Sequence, residues 1–214
     1  MRLSRKLAGL AAPVLIMAAM LGGCKALKDV TSALTDLKKL QFKLENVSNF
    51  KLAGVDVSKA SDPKSISTME MISLGSAFAQ KKMPVDFTLN VAARNPNDGS
   101  SASGGRSTPL YLRKLAWTLL IDDRTTINGV VDKRLEIPAS GQSTMIPITV
   151  GLDLYQFFGD KGLNDMVNLA LAIGGAQGSS SRLKLTAKVS VETPIGLVDY
   201  PGDITIVDQQ FTNP

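Results

Sequence analysis

The sequence predicts a mainly β protein, a β-sandwich with one or two accessory helices. Three observations carry that expectation. Several stretches alternate apolar and polar residues strictly, turn residues separate them at short spacing, and few stretches show a helical period. The 214 residues, 44% of them apolar, are enough to bury a real core as one domain with an appendage.

The appendage comes first. Arg2, Arg5 and Lys6 precede an uncharged run from Leu7 to Leu21, and Gly22-Gly23-Cys24 follows. A basic start, a short apolar run and small residues before a cleavage point describe a signal peptide over 1–23. The run is short of the roughly 20 residues that span a bilayer, and Pro13 interrupts it. Leu21-Gly22-Gly23-Cys24 resembles the bacterial lipobox, whose cysteine is acylated and becomes the first residue after cleavage. That resemblance implies a lipidated Cys24, a membrane as partner through that cysteine, and a place in a bacterial cell envelope. Lys25 in place of aspartate implies the outer membrane, facing the periplasm.

Residues 24–39 then form a tether. Leu27, Val30, Leu34 and Leu37 share one helical face. Two readings stay open, an amphipathic helix lying on lipid headgroups and a segment that packs loosely on the domain.

The domain itself is expected over 40–214. Gln41 to Val47 and Phe50 to Val57 read as two strands, with Phe42, Leu44, Leu52, Val55 and Val57 facing inward. Ser61-Asp62-Pro63 breaks the chain, and a helix opening at Pro63 or Ser65 runs to about Lys81 with Met71, Leu74 and Phe78 on one face, Ile66 and Met69 close by. Pro84 to Asn95 is the clearest strand, with Val85, Phe87, Leu89, Val91 and Ala93 on its inner face. Asn95-Pro96-Asn97-Asp98-Gly99 ends it, and Ser100 to Thr108 reads as an exposed loop.

Lys114 to Ile121 repeats the pattern through Leu115, Trp117, Leu119 and Ile121. Asp122-Asp123-Arg124 and Asn128-Gly129 read as turns around Thr125 to Ile127. Lys133 to Ile137 and Thr144 to Val150 are strands flanking the Pro138–Gly141 turn, and Pro147 marks the second as an edge. Asp160 to Ile173 reads as a helix capped by Asp160 and stopped by Gly174-Gly175. Leu183 to Val191 alternates again, and Ile195 to Val198 and Ile204 to Val207 close the domain.

The chemistry is restricted from the outset. There is no histidine and one cysteine, so His-dependent triads, Cys–His dyads, zinc clusters and internal disulfides are excluded. The net charge of +5 falls to +2 once the three cations of the signal segment are removed, which argues against nucleic acid as a partner. Gly174 to Ser181 lacks the lysine of a phosphate loop and follows a helix. Asp122, Asp123 and Asn128 lack calcium-loop spacing. Nothing brings Asp153, Asp160 and Asp165 to Glu136 or Glu192, and Ser140 has no base. The expectation is no enzyme, no cofactor and no metal.

One resemblance adds to this. Val85 to Val91 leading into Asn95-Pro96-Asn97, then Leu115 to Asp122, Gly129, and Ile137-Pro138-Ala139-Ser140-Gly141 follow the order of the late embryogenesis abundant (LEA) type 2 family. That family is also called the WHy, or water stress and hypersensitive response, domain. The resemblance spans about Leu40 to Val207. It implies an immunoglobulin-like or fibronectin III-like sandwich without a catalytic centre, associated with desiccation and related stress. For Asn95, Pro96 and Asn97 a strand-ending turn is one role, and contact with a ligand or partner the other. The leading expectation is a lipid-anchored protein protective in water stress. The alternatives are a lipid-binding or lipid-shuttling module with a lipid ligand, and an adaptor for an envelope protein client.

Overall fold

The computed structural model describes residues 37–97, 109–139, 141–174, 182–193, 196–200 and 202–210, with single positions at 31, 34, 35, 99 and 107. Cys24 and its leader, most of the Ser100–Thr108 stretch, Ser140 and the glycine- and serine-rich stretch beyond Gly174 lie outside them.

Two antiparallel sheets make the expected β-sandwich. The first sheet contains β1 (Gln41–Leu52), β2 (Val55–Asp56), β3 (Pro84–Arg94) and β6 (Ser143–Asp153) in the order β2-β1-β3-β6. The second runs β5 (Arg124–Ile137), β4 (Leu110–Ile121) and β7 (Arg182–Thr193). β8 (Gly196–Asp199) and β9 (Ile204–Gln210) pair with successive halves of β7. The strict alternation of β3 puts Val85, Phe87, Leu89, Val91 and Ala93 in the core, and that of β4 adds Leu115, Trp117, Leu119 and Ile121. Leu185, Ala187, Val189 and Val191 of β7 lie beside them on the same face of the second sheet. Removing such a side chain from water contributes about 1.5–3 kcal/mol each. Pro147 lies on β6, an outer strand, where its missing N–H costs no ladder bond.

Helices close one end. α1 (Thr68–Ala79) follows a 3-10 turn at Pro63–Ser65, α2 (Leu154–Phe158) follows β6, and α3 (Leu163–Ile173) leads toward β7. Ser67 and Glu70 form a capping box on α1, the Ser67 hydroxyl accepting from the Glu70 N–H and the Glu70 carboxylate from the Ser67 N–H. Asp153 Oδ1 accepts from the N–H of Met83 at 2.8 Å and of Tyr155 at 3.0 Å, fastening α2 to the start of β3. Met166, Val167 and every residue from Leu169 to Ile173 are buried, so α3 is enclosed on nearly all sides.

Four readings change. Gln41–Leu52 is one strand, bent by register shifts after Leu44 and Ser48, because bulges keep the pairing with β3 through a sequence that loses its alternation. Asn128-Gly129 is no turn. The turn is Asp122-Asp123, both at positive φ, and β5 then runs unbroken. Asp160 does not cap a helix, since α3 begins after Gly162, which offers no side chain. Met69 is 73% exposed and fills no core, being on the outer side of α1 from Leu74.

The described part of the tether is helical at positions 31, 34, 35, 37 and 38. Leu37 and Leu40 are buried in the core cluster, so the packed domain begins ahead of β1.

Candidate functional site

Two of the stretches singled out by sequence, Asn95-Pro96-Asn97 and the corner after Ile137, meet at the end of the sandwich opposite the helices. β3 ends at Arg94, and the next three residues turn inward. Asn95 and Asn97 are fully buried, with Pro96 half-buried between them. The Asn95 Oδ1 accepts from the backbone N–H of Asn97 at 3.1 Å and from its side-chain Nδ2 at 2.9 Å. Its own Nδ2 donates to the carbonyl of Ile137 at 3.5 Å. One asparagine thus forms an Asx turn at the end of the first sheet and reaches the last residue of β5 in the second.

Ile137 opens the Pro138–Gly141 corner, through which the chain crosses back to β6. Gly141 sits at φ +70°, and a Cβ there would stand 3.5 Å from Arg94 Nη2, so the guanidinium lies across the glycine. Arg94 also pairs in register with Ser143. Two motifs 42 residues apart are therefore in contact at one corner.

The remaining motif positions are structural as well. Asp122 makes the β4–β5 turn at φ +48°. Gly129 lies opposite Trp117, and a Cβ there would come within 2.5 Å of the indole. The absent side chain is what lets the ring lie flat across the neighbouring strand.

The other candidates stay apart. Asp153 belongs to the helical end, whereas Glu136 and Glu192 both pair with Tyr111 near the Asn95 end. Among the described residues no three of His, Cys, Asp and Glu stand close enough to hold a metal ion. No described helix is long and apolar enough to cross a membrane. The apolar stripe of α3 is buried in the core.

Surface electrostatics are local. Asp56 is held below the usual carboxylate range by the Ser58 hydroxyl and N–H, and Glu70 by the Ser67 hydroxyl and N–H. Arg134 is raised, first by its hydrogen bond to Glu192. Its guanidinium lies 3.8 Å from the centre of the Tyr111 ring, with Nε 3.1 Å from Glu192 Oε2. Arg113 approaches the same carboxylate at 4.0 Å. Sequence reading missed this cluster, because its members come from three strands and meet only through the β5-β4-β7 register.

Shallow grooves mark the described surface. One of about 460 Å³ runs beside α1 from Ile72 to Lys82. A second, about 360 Å³, includes Lys43, Arg94 and Gly141. A third, about 300 Å³, lies over Thr118 and Lys188 on the second sheet.

No protein-family model matches the chain, and no curated protein does either. Among the solved structures similar to it are the following. A protein from Archaeoglobus fulgidus is 11% identical over 61% of this chain and 86% of its own, at a TM-score of 0.34. One from Arabidopsis thaliana is 17% identical over 62% and 74%, at 0.33. A candidate late embryogenesis abundant protein is 12% identical over 97% and 95%, at 0.35.

Proposed function

We propose that this chain is a non-enzymatic, lipid-anchored envelope protein of the LEA type 2/WHy kind, protective when water is withdrawn. The observation that carries the reading is the use made of its motif residues. Asn95, held by Asn97, ties one sheet to the other, Asp122 turns a hairpin, Gly129 receives an indole and Gly141 turns the corner. A family defined by such residues shares a scaffold, and no reaction centre is implied by them. The lipobox-like Leu21–Cys24 supplies the anchor, and Lys25 after it the address, an outer membrane facing the periplasm.

A stably braced sandwich on a short tether suits a protein that keeps its fold beside a membrane while water activity falls. Deleting the gene and drying the cells is the direct test. Survival should fall and recover with the wild-type chain, and recover less with Cys24→Ser. Unchanged survival through drying, freezing and osmotic shock would sink the protective reading. Intact mass of the mature chain checks the anchor, since acylation adds the mass of the lipid at Cys24.

A further inference from the structure

The chain enters the sandwich at one end only. Gln41, just after the buried Leu37 and Leu40, pairs with Arg94 at the Asn95 corner. The domain's first packed residues are therefore at that end, and any tether from Cys24 must arrive at it. Leu37 stands thirteen positions after Cys24, a reach of about 45 Å fully extended and about 20 Å as helix. A twelve-residue strand such as β1 is itself about 40 Å long. The helical positions 31, 34, 35, 37 and 38 favour the shorter of these figures. An anchor at Cys24 thus holds the Asn95 end nearer the bilayer than the helical end.

That end also has the chemistry of a surface facing phosphates. Its 360 Å³ groove is lined by Phe42, Lys43, Ala92, Arg94, Gly141 and Ser143 among others. The exposed Arg94 guanidinium crosses the mouth over Gly141, half-buried Phe42 gives an apolar wall, and exposed Lys38 lies just before β1. Glu45 is the one carboxylate described on this part of the first sheet, and Lys43 pairs with it at 2.8 Å. At the same end Leu197 of β8, opposite Glu192, is 65% exposed. The helical end exposes apolar side chains too, Met69 and Ile72, but there cations such as Lys64, Lys81, Lys82 and Arg124 are interspersed with the carboxylates Asp56, Glu70, Asp122, Asp123 and Asp160.

We infer that the Asn95 end of the sandwich seats on an anionic lipid surface. Arg94 and Lys43 take headgroup phosphates at the groove, Leu197 enters the interface, and the helical end with Met69 and Ile72 is held outward. A guanidinium offers phosphate two parallel hydrogen bonds, and cations near an anionic leaflet strengthen binding several-fold each. The inference rests on the lipid-anchor reading only for the direction of the tether.

The test uses the acylated chain in phosphatidylcholine vesicles with and without phosphatidylglycerol. Amide exchange should slow at 38–44 and 196–198 when phosphatidylglycerol is present, and stay unchanged along α1. Slowing along α1, or at neither end, overturns the inference. A second arm uses the mature-length chain carrying Cys24→Ser, made without the preceding segment and sedimented with phosphatidylglycerol vesicles. Arg94→Gln and Lys43→Gln should each weaken binding roughly fivefold, and Ile72→Gln should not. Loss with Ile72→Gln alone reverses the orientation and defeats it. The mass of the wild-type chain keeps the two readings apart. An unacylated chain that still binds through Arg94 retains the seating and loses the anchor, whereas an acylated chain indifferent to Arg94→Gln does the opposite.

Discussion

The two ends of the sandwich are closed by different means. At the helical end α2 and α3 insert apolar side chains, with Phe158 and the run from Leu169 to Ile173 sealed from water. At the other end two buried asparagines and a glycine corner do the work through directed hydrogen bonds. Apolar burial is non-directional and scales with area, so the helical end gains stability without fixing one geometry closely. Buried amides are costly unless paired, so the Asn95 end fixes geometry and punishes small errors. An end that fixes one geometry is the end whose residues stand out as a motif.

Substitutions can break this contrast, beginning where the loss is largest. Phe158 is 1% exposed, with the guanidinium of Arg124 over its ring and Arg124 Nη1 donating to the Phe157 carbonyl. Phe158→Ala should cost about 3–5 kcal/mol, read as a lower urea midpoint with little change at the Asn95 corner.

Asn95→Ala should cost less, about 1–3 kcal/mol, because it removes the buried acceptor of the Asn97 N–H and amide and the donor to the Ile137 carbonyl. Its signature should differ from that of Phe158→Ala. Amide exchange should quicken at both Asn97 and Gly141 while α3 keeps its protection. Equal loosening of both ends would erase the distinction drawn above.

Gly129→Ala probes the middle of the second sheet. The new methyl meets the indole of Trp117, which is itself 6% exposed and has little room to yield. Destabilisation of about 1–3 kcal/mol is expected. Trp117 is the sole tryptophan, so its emission reports the displacement directly, moving to longer wavelength as the ring gains water.

The smallest effect lies on the surface of the helical end. Ser67→Ala should cost about 1 kcal/mol by removing the α1 cap. Glu70 is depressed below its ordinary value by Ser67, so the folded state binds its proton less readily than the unfolded chain. Its contribution is complete above the ordinary carboxylate range and is lost as pH falls through the depressed value. The gap between wild type and Ser67→Ala should therefore narrow on acidification, and a gap constant with pH would remove Glu70 from the cap.

Much of this architecture was legible in the sequence, and the reason is periodicity. The inner faces of β3 and β4 follow directly from alternation, since a period of two leaves only one face to bury. Pro147 announced its edge because a proline cannot donate. The resemblance motif could likewise be written down, and the cysteine junction at Cys24 is a feature of sequence alone.

Tertiary structure decided what local signals left ambiguous. Asn128-Gly129 has good turn chemistry, but the indole of Trp117 needs that glycine inside a strand. Asp160 precedes a helical pattern, yet packing started α3 three residues later and gave the capping role at that end to Asp153. Asn95 and Ile137 could not be joined from sequence, because the bond crosses between sheets and its partner is a backbone carbonyl. The same holds for Arg134, Tyr111 and Glu192, whose meeting depends on the register of three strands. Sequence determines which face of each element avoids water; only the packed chain determines which faces meet and which polar groups must then find partners.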